Sequence, residues 1–132
     1  DIQVMSTMGL TEDDLDAIRA VDGVLDAEGS YATDVLCTIR GNQVAVHVMA
    51  LQDKMNQVQL EDGRLPEKEN ECVIDADYLD GKNLKIGDKI TLSSGTSYSL
   101  EDTLKTDTFT IVGTVSSPEY IAFHRCSTTI GN

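Results

Sequence analysis

The 132-residue chain contains two histidines, His47 and His124. They are the only side chains expected to act as bases near neutral pH, so catalytic chemistry would have to involve one of them. His47 lies among alternating valines, which predicts a position on a strand that faces solvent or a partner. His124 lies two residues before Cys126, and a thiol with a nearby imidazole is the basis of nucleophilic catalysis. A Cys–His site normally joins residues far apart in sequence, and the residues around Cys126 carry no nucleophile motif. The sequence therefore predicts no catalytic residue and no enzyme activity.

One group of acidic residues partly matches the sequence pattern of a metal-binding loop. Asp75, Asp77, Asp80 and Gly81 resemble a calcium-binding loop, but counted from Asp75 the fifth, sixth and twelfth positions lack the required residues. We interpret Asp75 as a helix cap and Gly81 as a helix stop, although an acidic surface can also bind calcium incidentally. Gly81-Lys82 lacks the earlier glycine and the following Ser or Thr of a phosphate-binding loop. The sequence thus predicts no metal site and no cofactor.

Three cysteines, Cys37, Cys72 and Cys126, lack the Cys-x-x-Cys spacing typical of a zinc site. Cys37 and Cys72 each lie in an apolar run with the pattern of a strand. We interpret both as small buried apolar residues in preference to a disulfide pair. The odd number of cysteines leaves at least one free thiol in either case.

The charge of the chain limits its partners. The formal net charge is −13 at pH 7, and a surface of this sign repels nucleic acid and anionic lipid headgroups. We therefore expect no nucleic-acid binding. No window approaches the 18 consecutive apolar residues of a membrane span. The chain starts without an initiator Met or a signal peptide, so we expect a fragment of a longer protein that carries any membrane helices elsewhere.

The first half of the chain predicts a small α+β lobe. In Ile2–Met8, Ile2 and Val4 fall on one face of an alternating pattern and Gln3 and Met5 on the other, which predicts a short strand. A helix follows, because Thr11 suits an N-cap and Asp14 stands where its capping-box partner belongs. Two strands flank the turn residues Arg40-Gly41-Asn42 and predict a hairpin. Strand, helix, strand, strand is an open α+β lobe, to which we assign residues 1–56.

The second half predicts a β-rich lobe with a connecting segment, residues 57–132. Strands are predicted at Glu71–Ile74, at Lys89–Leu92 and at Phe109–Val115, the last being the strongest. A further short strand is predicted at Tyr120–Phe123. The overall expectation is an α+β fold with two lobes.

Four short motifs follow one another along this second half. They are Gly63-Arg64-x-Pro66, Asn70-Glu71-x-Val73-Ile74-Asp75, Ile86-Gly87-Asp88-Lys89-Ile90-Thr91-Leu92 and Phe109-Thr110-Ile111-Val112-Gly113-Thr114-Val115. The ordered set resembles the extracytoplasmic domain of ABC-transporter permeases of the FtsX/MacB type, the MacB-like periplasmic core domain. The likeness covers roughly residues 40–118. The endings Ser117–Ile121 and Ser127–Asn132 are similar to large permeases from Gram-positive bacteria.

The resemblance implies a domain on the extracellular face of the bacterial cell membrane, inserted after the first transmembrane helix of a parent permease. It implies a porter-like lobe and a β-rich lobe called sabre, with no catalytic residue and no cofactor. A separate cytoplasmic ABC ATPase would hydrolyse ATP, and a second permease subunit would complete the transporter. The domain would act on an extracellular substrate or partner, through export or mechanotransmission. The family domain normally continues past this end, so we expect a fold truncated at its C-terminus, and Cys126 stands where the subgroup has glycine.

The motif residues have structural roles in this picture. Gly63 and Gly87 would allow turns that a Cβ opposes, and Pro66 would fix the approach to a strand. Arg64 would either hold a carboxylate through two hydrogen bonds or be a solvated surface charge. The other structural positions are Glu71, Asp88 and Gly113.

Two alternative functions stay open. The acidic surface and the Ser/Thr-rich loops also fit a secreted or cell-wall-attached binding or adhesion module. A hydrolase fragment that uses Cys126 or His124 is the third alternative. A parent protein without membrane helices would contradict the permease hypothesis, whereas repeated copies of this domain would favour the adhesion module.

Overall fold

The computed structural model describes residues 2–94, 100 and 104–118. This part of the chain forms one six-stranded sheet with two short helices, which confirms the α+β class in its broad sense. In chain order the elements are α1 (Glu12–Arg19), β1 (Ala32–Ile39), β2 (Asn42–Met49), β3 (Gln59–Gly63), β4 (Glu71–Asp75), α2 (Ala76–Lys82), β5 (Lys89–Ser93) and β6 (Thr108–Ser116).

The predicted hairpin is β1 with β2. Their antiparallel register runs from Ala32 opposite Met49 to Ile39 opposite Asn42. Arg40 and Gly41 form the two-residue turn, with φ angles of 50° and 82°. Positive φ at both turn positions matches the right-handed twist of the flanking strands, so this turn holds the register of the hairpin.

Strand β6 pairs with three of the described strands. The described strands follow the order β2-β1-β5-β6-β3, and β4 pairs with β6 off this path. β6 pairs with β5 along Thr108–Thr110, with β4 along Thr110–Val115 and with β3 along Gly113–Ser116. Since β4 overlaps both other pairings and a strand has two edges, β5 and β3 lie end to end along the opposite edge of β6. The end of β3 therefore meets the start of β5.

The core is built from alternate residues of β1 and β5, together with Ile111 of β6 and Leu84. Ile111 is completely buried, and Val35 and Cys37 are nearly so. Ile39, Leu84, Ile90 and Leu92 complete the buried cluster. Burial of each such aliphatic side chain stabilises the fold by about 1.5–3 kcal/mol, so this alternation positions the strands on which the motif residues lie.

Both helices begin as the sequence predicts. The Asp14 amide donates to the Thr11 hydroxyl at 3.3 Å, and the Thr11 amide donates to the Asp14 carboxylate at 2.8 Å, which forms the capping box of α1. The Asp75 carboxylate accepts from the amide of Asp77 at 3.0 Å and so caps α2. The predicted helix stop at Gly81 is wrong by one residue, because α2 continues to Lys82 and Asn83 adopts the left-handed conformation, with a φ of 53°.

The strand predicted at Ile2–Met8 is wrong, because no residue of this segment belongs to a strand and Thr7 and Met8 lie in a turn. Its side chains are exposed along its whole length. A side-chain pattern with a period of two is not enough to form a strand. A strand also needs a neighbouring strand with which it shares backbone hydrogen bonds.

The predicted lobe boundary falls between β2 and β3. Across this boundary, β1 pairs with β5, with Cys37 opposite Leu92. One sheet therefore includes strands from both assigned ranges, and the division into a porter-like and a sabre-like lobe stays a prediction. The predicted strand at Tyr120–Phe123 lies outside the described residues.

Candidate functional site

The motif residues meet where β3 and β5 converge on β6. The Arg64 amide, just after β3, donates to the Val112 carbonyl at 3.0 Å. The Gly87 amide, just before β5, donates to the Ile111 carbonyl at 2.7 Å, and the Ile111 amide donates to the Asp88 carbonyl at 2.9 Å. Two loops thus form backbone hydrogen bonds with consecutive residues of β6. We call this site the strand junction and define it as residues 63–64 and 86–88 packed against residues 111–113.

Two glycines let the backbones at the strand junction approach closely. A Cβ on Gly63 would overlap the Val112 carbonyl oxygen and lie 2.8 Å from the Cα of Gly113. A Cβ on Gly113 would lie 2.5 Å from the Arg64 carbonyl oxygen and 2.8 Å from that of Asp62. Gly63 also has a φ of 77°, a conformation that residues with a Cβ rarely adopt. Both glycines are therefore required by backbone packing.

Gly87 and Asp88 close the turn that leads into β5. Gly87 has a φ of 100°. The Lys85 amide donates to the Asp88 carboxylate at 3.0 Å, and the Asp88 amide donates to the Lys85 carbonyl at 3.0 Å. A carboxylate that accepts from a nearby amide stabilises a tight turn, so Asp88 has a structural role here.

Arg64 and Glu71 form a bidentate ion pair beside the strand junction. The two terminal guanidinium nitrogens of Arg64 donate to the two carboxylate oxygens of Glu71 at 2.8 and 2.7 Å. The amides of Glu67 and Lys68 donate to the same carboxylate at 2.9 and 3.3 Å. The loop that contains Pro66 is thereby fastened to the first residue of β4. This is the two-hydrogen-bond contact that the sequence predicted for Arg64.

The environment of Glu71 keeps its carboxyl group ionised. The Glu71 side chain is only 8% exposed, whereas that of Arg64 is 45% exposed. The hydrogen bonds from Arg64, followed by that from the Glu67 amide, lower the pKa of Glu71 from 4.5 to about 2. The same pair raises the pKa of Arg64. Both charges are therefore present throughout the physiological pH range.

A second carboxylate, which the sequence motifs did not indicate, fastens the segment between β2 and β3. The Glu28 carboxylate accepts from three consecutive amides, those of Asp53 at 2.8 Å, Lys54 at 3.1 Å and Met55 at 2.7 Å. The hydrogen bond from the Met55 amide is the main cause of a lowered pKa for Glu28. The Lys54 ammonium lies 3.2 Å from Asp26, which adds an ion pair between the same two segments. No motif marks this contact, because its donors are backbone amides.

His47 is half exposed and pairs with Asp34, a partner that was not predicted from the sequence. Its Nδ1 lies 2.6 Å from a carboxylate oxygen of Asp34. The hairpin register places these two residues directly opposite each other, so the two-residue turn was the signal that could have found the pair. Within the described part of the chain, His47 bonds to no hydroxyl or thiol. A base with its orienting acid but without a nucleophile does not make a catalytic triad.

Cys37 and Cys72 are free thiols, and the disulfide alternative for this pair is wrong. Cys37 lies in the core and Cys72 packs against it half-buried. Burial raises the pKa of the Cys37 thiol and raises that of Cys72 to about 12. Thiols with raised pKa values are poor nucleophiles, so neither one resembles a catalytic cysteine.

These thiols should react with Ellman's reagent only after unfolding. At pH 8 a thiol with a pKa near 12 is ionised in only about one molecule in ten thousand, so we expect Cys72 to react at least ~100-fold more slowly in the native protein than in urea. The measurement is best made in a Cys126→Ser variant, in which Cys37 and Cys72 alone contribute. Two fast-reacting thiols in the native variant would contradict their burial.

The remaining candidates do not form a site among the residues described. Asp75 is occupied as a helix cap, and residues 2–94, 100 and 104–118 contain no cluster of His, Cys, Asp and Glu that fits a metal ion. The predicted pair of His124 and Cys126 lies outside the described residues.

The chain matches no protein-family model, no curated protein and no solved structure. The likeness to FtsX/MacB-type permease domains therefore depends on the motifs quoted above and stays a prediction. Neither helix found in the described part of the chain has the length and apolar character to cross a lipid bilayer.

Proposed function

We propose that this chain is a non-catalytic extracellular domain of an ABC-transporter permease of the FtsX/MacB type. In this proposal the parent permease is embedded in the bacterial cell membrane, works with a cytoplasmic ABC ATPase and pairs with a second permease subunit. The domain couples ATP hydrolysis in the cytoplasm to a substrate or partner outside the cell. The porter-like and sabre-like lobes of that family are part of the proposal.

One observation carries the proposal: the motif residues that suggest the family meet at the strand junction. Gly63, Gly87 and Gly113 come from separate motifs, and all three serve the packing of loops onto β6. Arg64 and Glu71 then fasten the intervening loop. Motif residues with structural roles are expected to meet in space, and these do so around backbone atoms.

The physical properties of the strand junction suit mechanical coupling. A coupler has to pass on a displacement, which requires that its loops move together with its strands. At the strand junction, amide hydrogen bonds of 2.7–3.0 Å tie two loops to β6, and a bidentate ion pair ties the loop between β3 and β4 to the start of β4. Glu28 adds a further fastening on the segment that precedes β3. Such contacts make loops into rigid connections.

The proposal is tested in the full-length parent protein. Glu12 is exposed on α1, so Glu12→Cys in a Cys126→Ser background provides a labelling site for a membrane-impermeant maleimide. We expect labelling in intact cells and co-purification of an ATPase with the detergent-solubilised parent. Labelling only after lysis would contradict the extracellular location. Labelling of a parent that has no membrane helix and brings down no ATPase would instead favour the adhesion module.

A further inference from the structure

The outer edge of β2 carries backbone groups that no described strand uses. β2 is the terminal strand of the sheet order and pairs with β1 alone among the strands described. The Ala50 amide donates to the Tyr31 carbonyl at 2.8 Å, which continues the register of the hairpin by one pair. Because backbone groups alternate between the two edges of a strand, every second residue of β2 points its amide and carbonyl away from β1. These outward residues are Gln43, Ala45, His47 and Met49.

This edge lacks the features that normally keep strands from adding to a sheet. Natural edges are shielded by Lys, Pro, inward-pointing charges or bulges. The eight residues of β2 read NQVAVHVM and contain no Lys, Arg, Asp, Glu or Pro. The pairing with β1 runs over all eight residues without a bulge. A long and regular edge of this kind is able to accept a strand from another chain.

The distribution of charge favours this edge as the place where a second copy of the chain approaches. Each copy carries a formal net charge of −13, so two copies repel each other at long range. β2 contributes no acid, and the neighbouring strand β1 contributes only Asp34. The Asp34 carboxylate lies 2.6 Å from Nδ1 of His47, and the Asp34 side chain is only 10% exposed. Two β2 edges therefore meet with little direct repulsion between like charges.

The sequence of β2 is nearly symmetrical about Val46. Val44 and Val48 lie two residues to either side of Val46, with Ala45 and His47 between them. If two copies of β2 pair antiparallel with a two-fold axis at Val46, this residue lies opposite its own counterpart, and Val44 lies opposite Val48 of the second copy. A two-fold interface requires a self-complementary surface of this kind, because each contact occurs twice with the roles of the copies exchanged.

This register satisfies the outward backbone groups and the valine side chains together. Outward residues pair with outward residues, so Ala45 exchanges hydrogen bonds with His47 of the second copy, and Gln43 does so with Met49. The valines occupy the pairs between them, in which opposite side chains lie closest. All three valines of β2 already pack against the core from half-buried positions. The valine rows of the two copies therefore form one apolar surface that continues across the axis.

We infer that the outer edge of β2 is an interaction surface for a second copy of this chain, which adds its own β2 antiparallel about a two-fold axis at Val46. The dimer joins the two sheets into one continuous sheet. This inference depends on the edge of β2 alone and not on the proposed permease function.

Disulfide cross-linking in a Cys126→Ser background tests the register. In Val46→Cys the two new thiols belong to directly opposite residues with Cα atoms about 4.5 Å apart, a separation that a disulfide spans. Val44→Cys is the matched control, because its counterpart lies four residues farther along the strand, roughly 13 Å away. We expect mild oxidation to cross-link Val46→Cys at least ~10-fold faster than Val44→Cys. A mixture of Val44→Cys and Val48→Cys chains should restore the fast cross-link.

Sedimentation equilibrium and hydrogen exchange test the wild-type interface. At high ionic strength, which screens the repulsion between the acidic chains, we expect a dimer in which the Ala45 and His47 amides exchange at least ~10-fold more slowly than in the diluted monomer. Ala45→Pro removes an outward amide and none that β1 uses, so this variant should stay monomeric. Ala45→Ser keeps the amide and should dimerise as the wild type does. Protected amides at Val44 and Val46, which face β1, show in each variant that the hairpin is folded.

Three results would overturn the inference. A wild-type chain that stays monomeric at every concentration and ionic strength would show that the edge binds no second copy. Cross-linking of Val46→Cys that is no faster than that of Val44→Cys would exclude the axis at Val46. Protection of the Ala45 and His47 amides that persists in the monomer would assign the edge to another segment of the same molecule.

Discussion

Gly63→Ala is expected to lower the free energy of unfolding by about 2–5 kcal/mol, combining the cost of a left-handed residue with that of overpacking. The φ of 77° at this position accounts for the smaller part. The larger part comes from the new Cβ, which would overlap the Val112 carbonyl and press on Gly113. Both obstacles are backbone atoms of the central strand, so the overlap can be relieved only if β3 or β6 moves. Urea denaturation of the purified chain at neutral pH measures the loss.

Gly41→Ala is the matched control for this prediction. Gly41 has a φ of 82°, nearly that of Gly63, but no atom lies within 4 Å of a Cβ placed there. Its substitution should therefore cost only the ~1–2 kcal/mol of a left-handed alanine. The difference between the two variants isolates the close approach at the strand junction. Equal losses would mean that the strand junction relaxes around a methyl group and is not the rigid contact proposed.

Local signals account for the parts of the fold that the sequence predicts well. The capping box of Thr11 and Asp14, the turn at Arg40-Gly41 and the turn at Gly87 each depend on residues within four positions of one another. Their geometry follows from backbone preferences and short hydrogen bonds, which leave a recognisable pattern of residue types. These local structures are therefore compatible with the tertiary packing but are not determined by it.

Contacts between distant segments account for what the sequence could not predict. Nothing in the residue types of β6 indicates that it pairs with three strands, or that Gly113 meets the chain at Arg64. Glu28 holds its loop through backbone amides, which every residue except proline offers. The unpaired segment Ile2–Met8 shows the converse, since its pattern is that of a strand but no described strand lies beside it. Partner choice is a property of the assembled sheet.

The residues of the candidate site could be predicted from the sequence, but their arrangement in space could not. The motifs identified Gly63, Arg64, Glu71, Gly87 and Gly113 as structural positions, and the structure brings all five to the strand junction or to the loop fastened beside it. The sequence predicted that Arg64 could hold a carboxylate, without identifying Glu71 as its partner. An ion pair across seven residues depends on the path of the loop through Pro66, and that path is set by where β3 and β4 join β6.

Glu71→Gln should produce the largest change in the pH dependence of stability. In the folded chain the pKa of Glu71 is about 2, whereas its ordinary value is 4.5. A group with a lowered folded pKa stabilises the protein fully above its unfolded pKa, and this contribution disappears as the pH falls toward the folded value. We therefore expect wild-type protein to lose stability between about pH 5 and pH 2 more steeply than the variant. Urea midpoints at pH 7, 4 and 2.5 measure this difference.

At pH 7 the same substitution leaves Arg64 without a negatively charged partner and with one acceptor oxygen in place of two, so the urea midpoint of Glu71→Gln should lie well below that of the wild type. Toward pH 2 the two midpoints should converge, because protonation makes the wild-type side chain neutral as well. Glu69→Gln is the matched control, since Glu69 forms an ion pair with Lys105 in which both side chains are mostly exposed, and its loss should shift the midpoint little. If the two variants behave alike, the Arg64–Glu71 pair does not fasten the loop beside the strand junction, and the rigid coupling on which the proposed function depends loses its main support.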